Sequence, residues 1–184
     1  MKVGIIGVKN INMDYAHRAA KLGYEVLISH TKQIYGLKEI IQDMGNNVKL
    51  VDMYDAAIAE IIVFSLDWEE LESSVSRLPD MSEKIILHTN NSIFKFESSS
   101  SSLPVIIGKS ASEKIASLLP DAHVVRIFNR LQPLIINKNE SKHQTEIFYM
   151  VKNPKVENKV ISFLTALDFS STALITVNEM DLHN

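Results

Sequence analysis

The stretch Met1-Lys-Val-Gly-Ile-Ile-Gly-Val-Lys-Asn-Ile-Asn12 decides the fold of this 184-residue chain. Its apolar run up to Val8 is typical of a strand buried on both faces of a parallel sheet. A helical pattern follows and stops at Gly23, and a second apolar strand covers residues 24–29. Together they form a βαβ unit of about 30 residues. In such units the turn after the first strand is where a dinucleotide's pyrophosphate binds.

This turn carries only one glycine of the dinucleotide fingerprint G-x-G-x-x-G. Gly7 holds the first position, Lys9 the second and Asn12 the third. The charge of Lys9 attracts phosphate, but its Cβ crowds the path along which the pyrophosphate normally approaches. A positive φ at Lys9 would also cost about 1–2 kcal/mol. The turn by itself therefore leaves open both a dinucleotide site and an ordinary strand–turn–helix connection.

The end of the second strand indicates which dinucleotide the site would prefer. An NAD site has a carboxylate there, about 20 residues after the glycines, which binds the ribose 2′-hydroxyl. This chain instead has Ser29-His-Thr-Lys32, without a carboxylate. Hydroxyls and a basic residue suit a 2′-phosphate, so the segment favours NADP. A polar loop without a ligand is an equally good interpretation of these four residues alone.

The rest of the chain continues the alternation of strands and helices. Strands are predicted at 48–51, 61–66, 84–87 and 123–128, and helices at 37–44, 55–59, 67–78 and 110–119. This pattern predicts an α/β fold, a Rossmann-like doubly wound and mostly parallel sheet with helices on both faces. Right-handed crossovers give the strand order 3-2-1-4-5-6, with a ligand crevice at the carboxyl ends of strands one and four.

The last fifty residues are expected to extend the same sheet. A strand at 146–151, a helix at 156–167 and a strand at 173–177 form a short C-terminal β-α-β extension. We therefore predict a dinucleotide-binding domain over 1–130 and an extension over 131–184, packed as one compact unit. The serine tract Ser98–Ser102 predicts a mobile loop between the two halves of the pattern.

Composition excludes several classes of function. A net charge of −3 argues against nucleic acid as a partner, and the absence of cysteine excludes disulfides and thiolate zinc sites. No stretch reaches the roughly 20 apolar residues that span a bilayer, and the first apolar run is too short for a signal peptide. A cytoplasmic protein without membrane contact is expected. His30, His88 and His123 lack metal-ligand spacing and are interpreted as structural or surface residues, so no metal site and no catalytic side chain is assigned.

Five segments together resemble one family, the NADPH-dependent reductases of the deazaflavin coenzyme F420. Glu25-Val-Leu-Ile-Ser29 is similar to the family's second strand. Residues 1–7 with Asn10 are similar to the family's opening strand and its G-x-G-N turn. Ile61-Ile-Val-Phe-Ser-Leu-Asp-Trp68 resembles its fourth strand, with Asp67 in place of a proline. Leu87-His-Thr-Asn90 resembles its D-x-T-N-P segment. Residues 108–129 resemble the family's helix-and-strand stretch that ends in A-F-N.

The resemblance implies hydride transfer between NADPH and a second ring cofactor, a deazaflavin, flavin or similar small-molecule acceptor. It also implies the residues that bind NADP. Those expected at the pyrophosphate are Gly7, Val8, Lys9, Asn10 and Ile11. Those expected at the adenosine ribose and its phosphate are Ser29, His30, Thr31 and Lys32. Those expected beside the nicotinamide are Ser65, Leu66, Asp67 and Asn90, and the loop 91–103 would border the acceptor.

Departures from the family pattern support a second hypothesis. Two fingerprint glycines are replaced, Asp67 adds a negative charge to the crevice, and the family's final D-A-G-P-L stretch is missing after Leu174. These changes suit a non-catalytic relative that keeps the fold and serves as a dinucleotide-binding or protein-interaction subunit. In either case, the apolar residues of 131–136 suit a homodimer contact.

Overall fold

The computed structural model describes residues 1–31, 35–89, 111–129 and 145–174. Several predictions fall outside these ranges. They are the site residues Lys32 and Asn90, the acceptor loop 91–103 with its Ser98–Ser102 tract, and the homodimer segment 131–136.

Within the described residues the chain forms an eight-stranded sheet with the order β3-β2-β1-β4-β5-β6-β7-β8. The first six strands are parallel, and their order confirms the predicted Rossmann-like fold. The strands are β1 Lys2–Ile6, β2 Glu25–Ser29, β3 Val48–Leu50, β4 Ile61–Phe64, β5 Ile85–His88, β6 His123–Asn129, β7 Thr145–Val151 and β8 Phe169–Ala173.

Helices cover both faces of the sheet, as the alternation predicted. They are α1 Asn10–Lys21, α2 Leu37–Met44, α3 Met53–Ala57, α4 Trp68–Val75, α5 Ala111–Leu118 and α6 Pro154–Ala166. One apolar core lies under α1, α2 and α6, and a second lies under α3, α4 and α5. The continuous apolar runs of β1 and β4 are buried on both faces, which is why they lack a polar alternation.

The C-terminal β-α-β extension joins the edge of the sheet beyond β6. Strand β7 pairs antiparallel with β6, and β8 pairs parallel with β7. The last strand begins at Phe169, not at residue 173 as predicted. Asp168 has φ = 63° and turns the chain directly from α6 into β8. The polar residues of the strand face solvent at the sheet edge, so its sequence lacks an apolar pattern. The domain boundary at residue 130 stays a prediction.

Arg18 on α1 connects the first βαβ unit to this extension. Its Nη1 donates to the carbonyl of Leu167 at 3.0 Å, and its Nη2 donates to Thr145 Oγ1 at 3.0 Å. The guanidinium also pairs with Asp14 and lies 4.4 Å from the centre of the Phe169 ring. Such a bidentate and stacked geometry is specific to arginine. The extension is therefore packed firmly against the helix that follows the first strand.

Candidate functional site

Gly7 shapes the turn at the carboxyl end of β1. Its φ is +91°, and its amide donates to the Ser29 carbonyl at 3.0 Å. A Cβ at this position would lie 1.8 Å from the Ser65 carbonyl oxygen. Glycine is therefore required here by the close approach of the β1 and β4 ends, whether or not a ligand binds.

Lys9 occupies the second fingerprint position without backbone strain. It is the N-cap of α1 with φ = −105° and ψ = 155°, an extended conformation open to any residue. The cost considered for a positive φ at Lys9 therefore does not arise. Helix α1 begins at Asn10, directly after Lys9.

Two carboxylates from the start of α4 reach the predicted phosphate-binding positions. The ammonium of Lys9 pairs with Asp67 Oδ1 at 3.2 Å. Thr31 Oγ1 donates to Glu70 Oε2 at 3.1 Å. Asp67 is the N-cap of α4, but among the described residues its side chain makes no capping bond. Its carboxylate instead pairs with a cation across the crevice.

Asn12, at the third fingerprint position, is completely buried. Its Nδ2 donates to the Gly7 carbonyl at 2.8 Å and to the Ile6 carbonyl at 3.3 Å. Its Oδ1 accepts from Thr89 Oγ1 at 2.6 Å. A glycine here would allow close helix–strand packing, whereas asparagine fills that space and ties the first turn to the end of β5.

His88 ends β5 and is 1% exposed. Its Nδ1 lies 2.7 Å from Ser112 Oγ on α5. Burial lowers the pKa of His88 to about 4, and the positive charges of Arg126 and Lys9 add to the effect. The imidazole is therefore neutral at pH 7, as expected of a histidine interpreted as structural.

This buried histidine predicts a loss of stability in mild acid. Between pH 6.5 and pH 4 the unfolded chain binds a proton at His88 and the folded chain does not, so stability falls as the pH is lowered. We expect a loss of roughly 2 kcal/mol between pH 7 and pH 5, measured by urea unfolding. The variant His88→Gln should lose most of this slope, and His17→Gln, at an exposed histidine, should keep it. An unchanged slope in His88→Gln would contradict the assignment.

The described residues fit a phosphate-bearing ligand at the first turn. The first turn of α1 carries no acidic residue. The ammonium of Lys9 lies at the crevice, where a helix N-terminus favours negative charge. Ser65 Oγ is buried with no hydrogen-bond partner in the described ranges, so the chain leaves a polar group there unsatisfied. A dinucleotide's phosphates would have to displace the carboxylates of Asp67 and Glu70.

The predicted site residues within the described ranges all lie at or directly after the carboxyl ends of β1, β2 and β4. They are Gly7, Val8, Lys9, Asn10, Ile11, Ser29, His30, Thr31, Ser65, Leu66 and Asp67. Whether they bind a cofactor stays a prediction. Sequence reasoning missed Glu70 and Arg126 as members of this edge. A signal for Arg126 existed, because a charged residue within the apolar strand His-Val-Val-Arg-Ile-Phe is informative by its position.

A mostly parallel sheet with this strand order, and with a glycine turn from β1 into α1 at its crevice, defines the class of Rossmann-type dinucleotide-binding folds. Residues 2–92 match the family model described as "NADP oxidoreductase coenzyme F420-dependent". The chain belongs to this family, as the resemblance implied. The family is one of NADP-dependent oxidoreductases with a Rossmann-type NAD(P)-binding domain.

Solved structures agree in fold. A hypothetical protein from Sinorhizobium meliloti is 20% identical with a TM-score of 0.69, over 95% of this chain and 84% of that one. A putative F420-dependent NADP-reductase from Arthrobacter sp. FB24 is 17% identical with a TM-score of 0.70, over 94% and 83%. An imine reductase from Aspergillus terreus, in complex with NADPH4 and dibenz[c,e]azepine, is 18% identical with a TM-score of 0.64, over 94% and 54%. This chain thus spans about half of that enzyme. No curated protein sequence matches the chain.

The described residues contain neither a membrane-spanning helix nor a metal-binding cluster. None of their helices has the length and apolar character needed to cross a membrane. They also contain no cluster of three or more histidine, aspartate or glutamate side chains suited to hold a metal ion.

Proposed function

We propose that this protein is an NADP(H)-dependent oxidoreductase that transfers a hydride between NADPH and a small-molecule acceptor such as a deazaflavin or flavin. One observation carries the proposal: at the N-terminus of α1, directly after the turn at Gly7, an unstrained Lys9 presents its ammonium to the crevice. Membership in a family of NADP-dependent oxidoreductases supports it. The acceptor class comes from the family description alone.

In this proposal the side chains bind and orient the cofactor, and no described residue is assigned as acid or base. Lys9 and the first amides of α1 would hold the pyrophosphate. Ser29, His30 and Thr31 would lie at the adenosine ribose and its 2′-phosphate. Ser65, Leu66 and Asp67 would lie beside the nicotinamide. The bound cofactor would supply the hydride, and the protein would contribute positioning.

The Lys9–Asp67 pair also favours the alternative of a relative without catalysis. The carboxylates of Asp67 and Glu70 contact Lys9 and Thr31, and they lie where phosphates would bind in this proposal. Titration of the full chain with NADPH and NADH, followed by fluorescence and thermal shift, separates the two functions. A lack of response at about millimolar concentration would contradict the oxidoreductase proposal, because a dissociation constant in that range corresponds to a binding free energy of only about −4 kcal/mol.

The variant Asp67→Asn is expected to bind NADPH about fivefold more tightly than the wild type. It removes the carboxylate that competes with phosphate for Lys9, and an exposed ion pair of this kind contributes up to about 1 kcal/mol. Isothermal titration calorimetry at low salt measures the change.

The matched control is Asp43→Asn, which removes an exposed carboxylate at the far end of α2 and should leave NADPH affinity unchanged. Lys9→Gly completes the series. Because Lys9 needs no positive φ, we expect glycine to weaken binding several-fold by removing the ammonium. Tighter binding by Lys9→Gly would instead mean that the lysine obstructs the site.

A further inference from the structure

Two nitrogen-bearing side chains lie next to each other at the β5–β6 part of the crevice edge. His88 of β5 and Arg126 of β6 are paired in register on neighbouring parallel strands. Their backbones are therefore about 4.8 Å apart, and both side chains project from the same face of the sheet. The His88 ring reaches Ser112 at the start of α5. This places the pair between the sheet edge and that helix.

Both side chains have a buried nitrogen without a partner. Nε2 of His88 and Nε of Arg126 are inaccessible to solvent and have no hydrogen-bond partner in the described part of the chain. Buried polar atoms in proteins are nearly always hydrogen-bonded, so two such neighbours need an explanation. When Ser112 donates its hydroxyl proton to Nδ1, the proton of His88 is carried on Nε2. Both of these adjacent N–H donors then lack a hydrogen-bond acceptor.

The local charge favours an anion as that acceptor. The guanidinium carbon of Arg126 lies 5.2 Å from the ring centre of Phe128, two residues closer to the carboxyl edge. The Arg126 side chain therefore extends along the sheet towards the crevice. Lys9 is close enough to lower the pKa of His88 together with Arg126. Burial lowers the pKa of Arg126, and the exposed carboxylate of Glu113 opposes this shift through space.

We propose that Arg126, with the Nε2–H of His88 beside it, binds an oxyanion group of the second substrate, so that the hydride acceptor is a carboxylate- or phosphate-bearing molecule. A planar guanidinium offers parallel N–H donors that match such a group. This inference rests on the proposed function only in naming the acceptor as the ligand. The anion site itself exists independently of NADP(H) binding.

The test uses the 15N-labelled full chain, titrated with sodium acetate in one arm and inorganic phosphate in the other. We expect millimolar affinity for one or both, with shifts of the Arg126 Nε and His88 Nε2 resonances. The arm with tighter binding identifies carboxylate or phosphate as the recognised group. Arg126→Gln should weaken this binding about tenfold, and Arg126→Lys, which keeps the charge without the fork, by less.

Arg77→Gln is the matched control, because it removes an exposed arginine from the end of α4. Its anion affinity should equal that of the wild type. If the wild-type chain binds neither anion at about 100 mM, the proposed site is refuted, because so weak an interaction could not contribute usefully to substrate affinity. Equal binding by Arg126→Gln and the wild type would also overturn it.

A parallel NADPH titration distinguishes this inference from the proposed function. Arg126→Gln should keep wild-type NADPH affinity, because Arg126 serves the acceptor. A chain that fails to bind NADPH but still binds the anion through Arg126 would refute the oxidoreductase and leave the anion site standing. A parallel loss of NADPH affinity in Arg126→Gln would assign the arginine to the dinucleotide and refute the acceptor role.

Discussion

Replacing Gly7 with alanine is expected to lower the free energy of unfolding by roughly 3–5 kcal/mol. Two effects add. The positive φ of +91° is unfavourable for any residue with a Cβ, and that Cβ would lie 1.8 Å from the Ser65 carbonyl oxygen. The clashing atom is backbone at the end of β4, so no rotamer change relieves it. In a chain of this length the melting temperature should fall by roughly 6–20 °C, measured by circular dichroism.

Gly23 provides the control for this prediction. It also has a positive φ, +75°, but among the described residues no heavy atom outside the glycine and its two chain neighbours lies within 4 Å of the position that its Cβ would take. Gly23→Ala therefore tests the backbone conformation alone and should cost about 1 kcal/mol. Equal losses in Gly7→Ala and Gly23→Ala would show that the contact with Ser65 contributes nothing, and that Gly7 is not fixed by the close approach of the ends of β1 and β4.

The architecture was predictable because its strongest signals are local. The apolar runs of β1 and β4 belong to strands buried on both faces, and right-handed crossovers leave few possible strand orders. Strand β8 shows where this reasoning stops. Its Ser170, Ser171 and Thr172 lie at a sheet edge with one side in solvent, so burial leaves no apolar pattern to detect.

The candidate site was predictable in position but not in its interactions. The carboxyl ends of β1, β2 and β4 follow from the strand order, and the predicted residues lie there. The side-chain partners do not follow, because they join distant parts of the chain. Asp67 satisfies every local criterion for a helix cap, yet its carboxylate pairs with Lys9. Asn12 looked like a lost glycine, yet its partner is Thr89, which comes 77 residues later.

Asn12→Gly, which restores the third glycine of the dinucleotide fingerprint, is therefore expected to destabilise the protein by roughly 3 kcal/mol. The change leaves the Gly7 carbonyl and the Thr89 hydroxyl buried without their partner. It also places glycine inside the first turn of α1, at a further cost of up to about 1 kcal/mol. Urea unfolding of the variant and the wild type measures the difference.

Asn10→Gly is the matched control, because Asn10 is an exposed asparagine in the same helical turn and its replacement tests helix propensity alone. It should cost no more than about 1 kcal/mol. Thr89→Val supplies a second check: combined with Asn12→Gly it should destabilise less than the sum of the single changes, because both remove the same hydrogen bond.

The result for Asn12→Gly decides what the altered fingerprint means. If Asn12→Gly is as stable as the wild type and binds NADPH more tightly, the asparagine is a damaged cofactor contact. If it unfolds more readily, Asn12 is needed to hold the turn in place. Of the two replaced fingerprint positions, Lys9 alone then decides whether the NADP site is altered or lost.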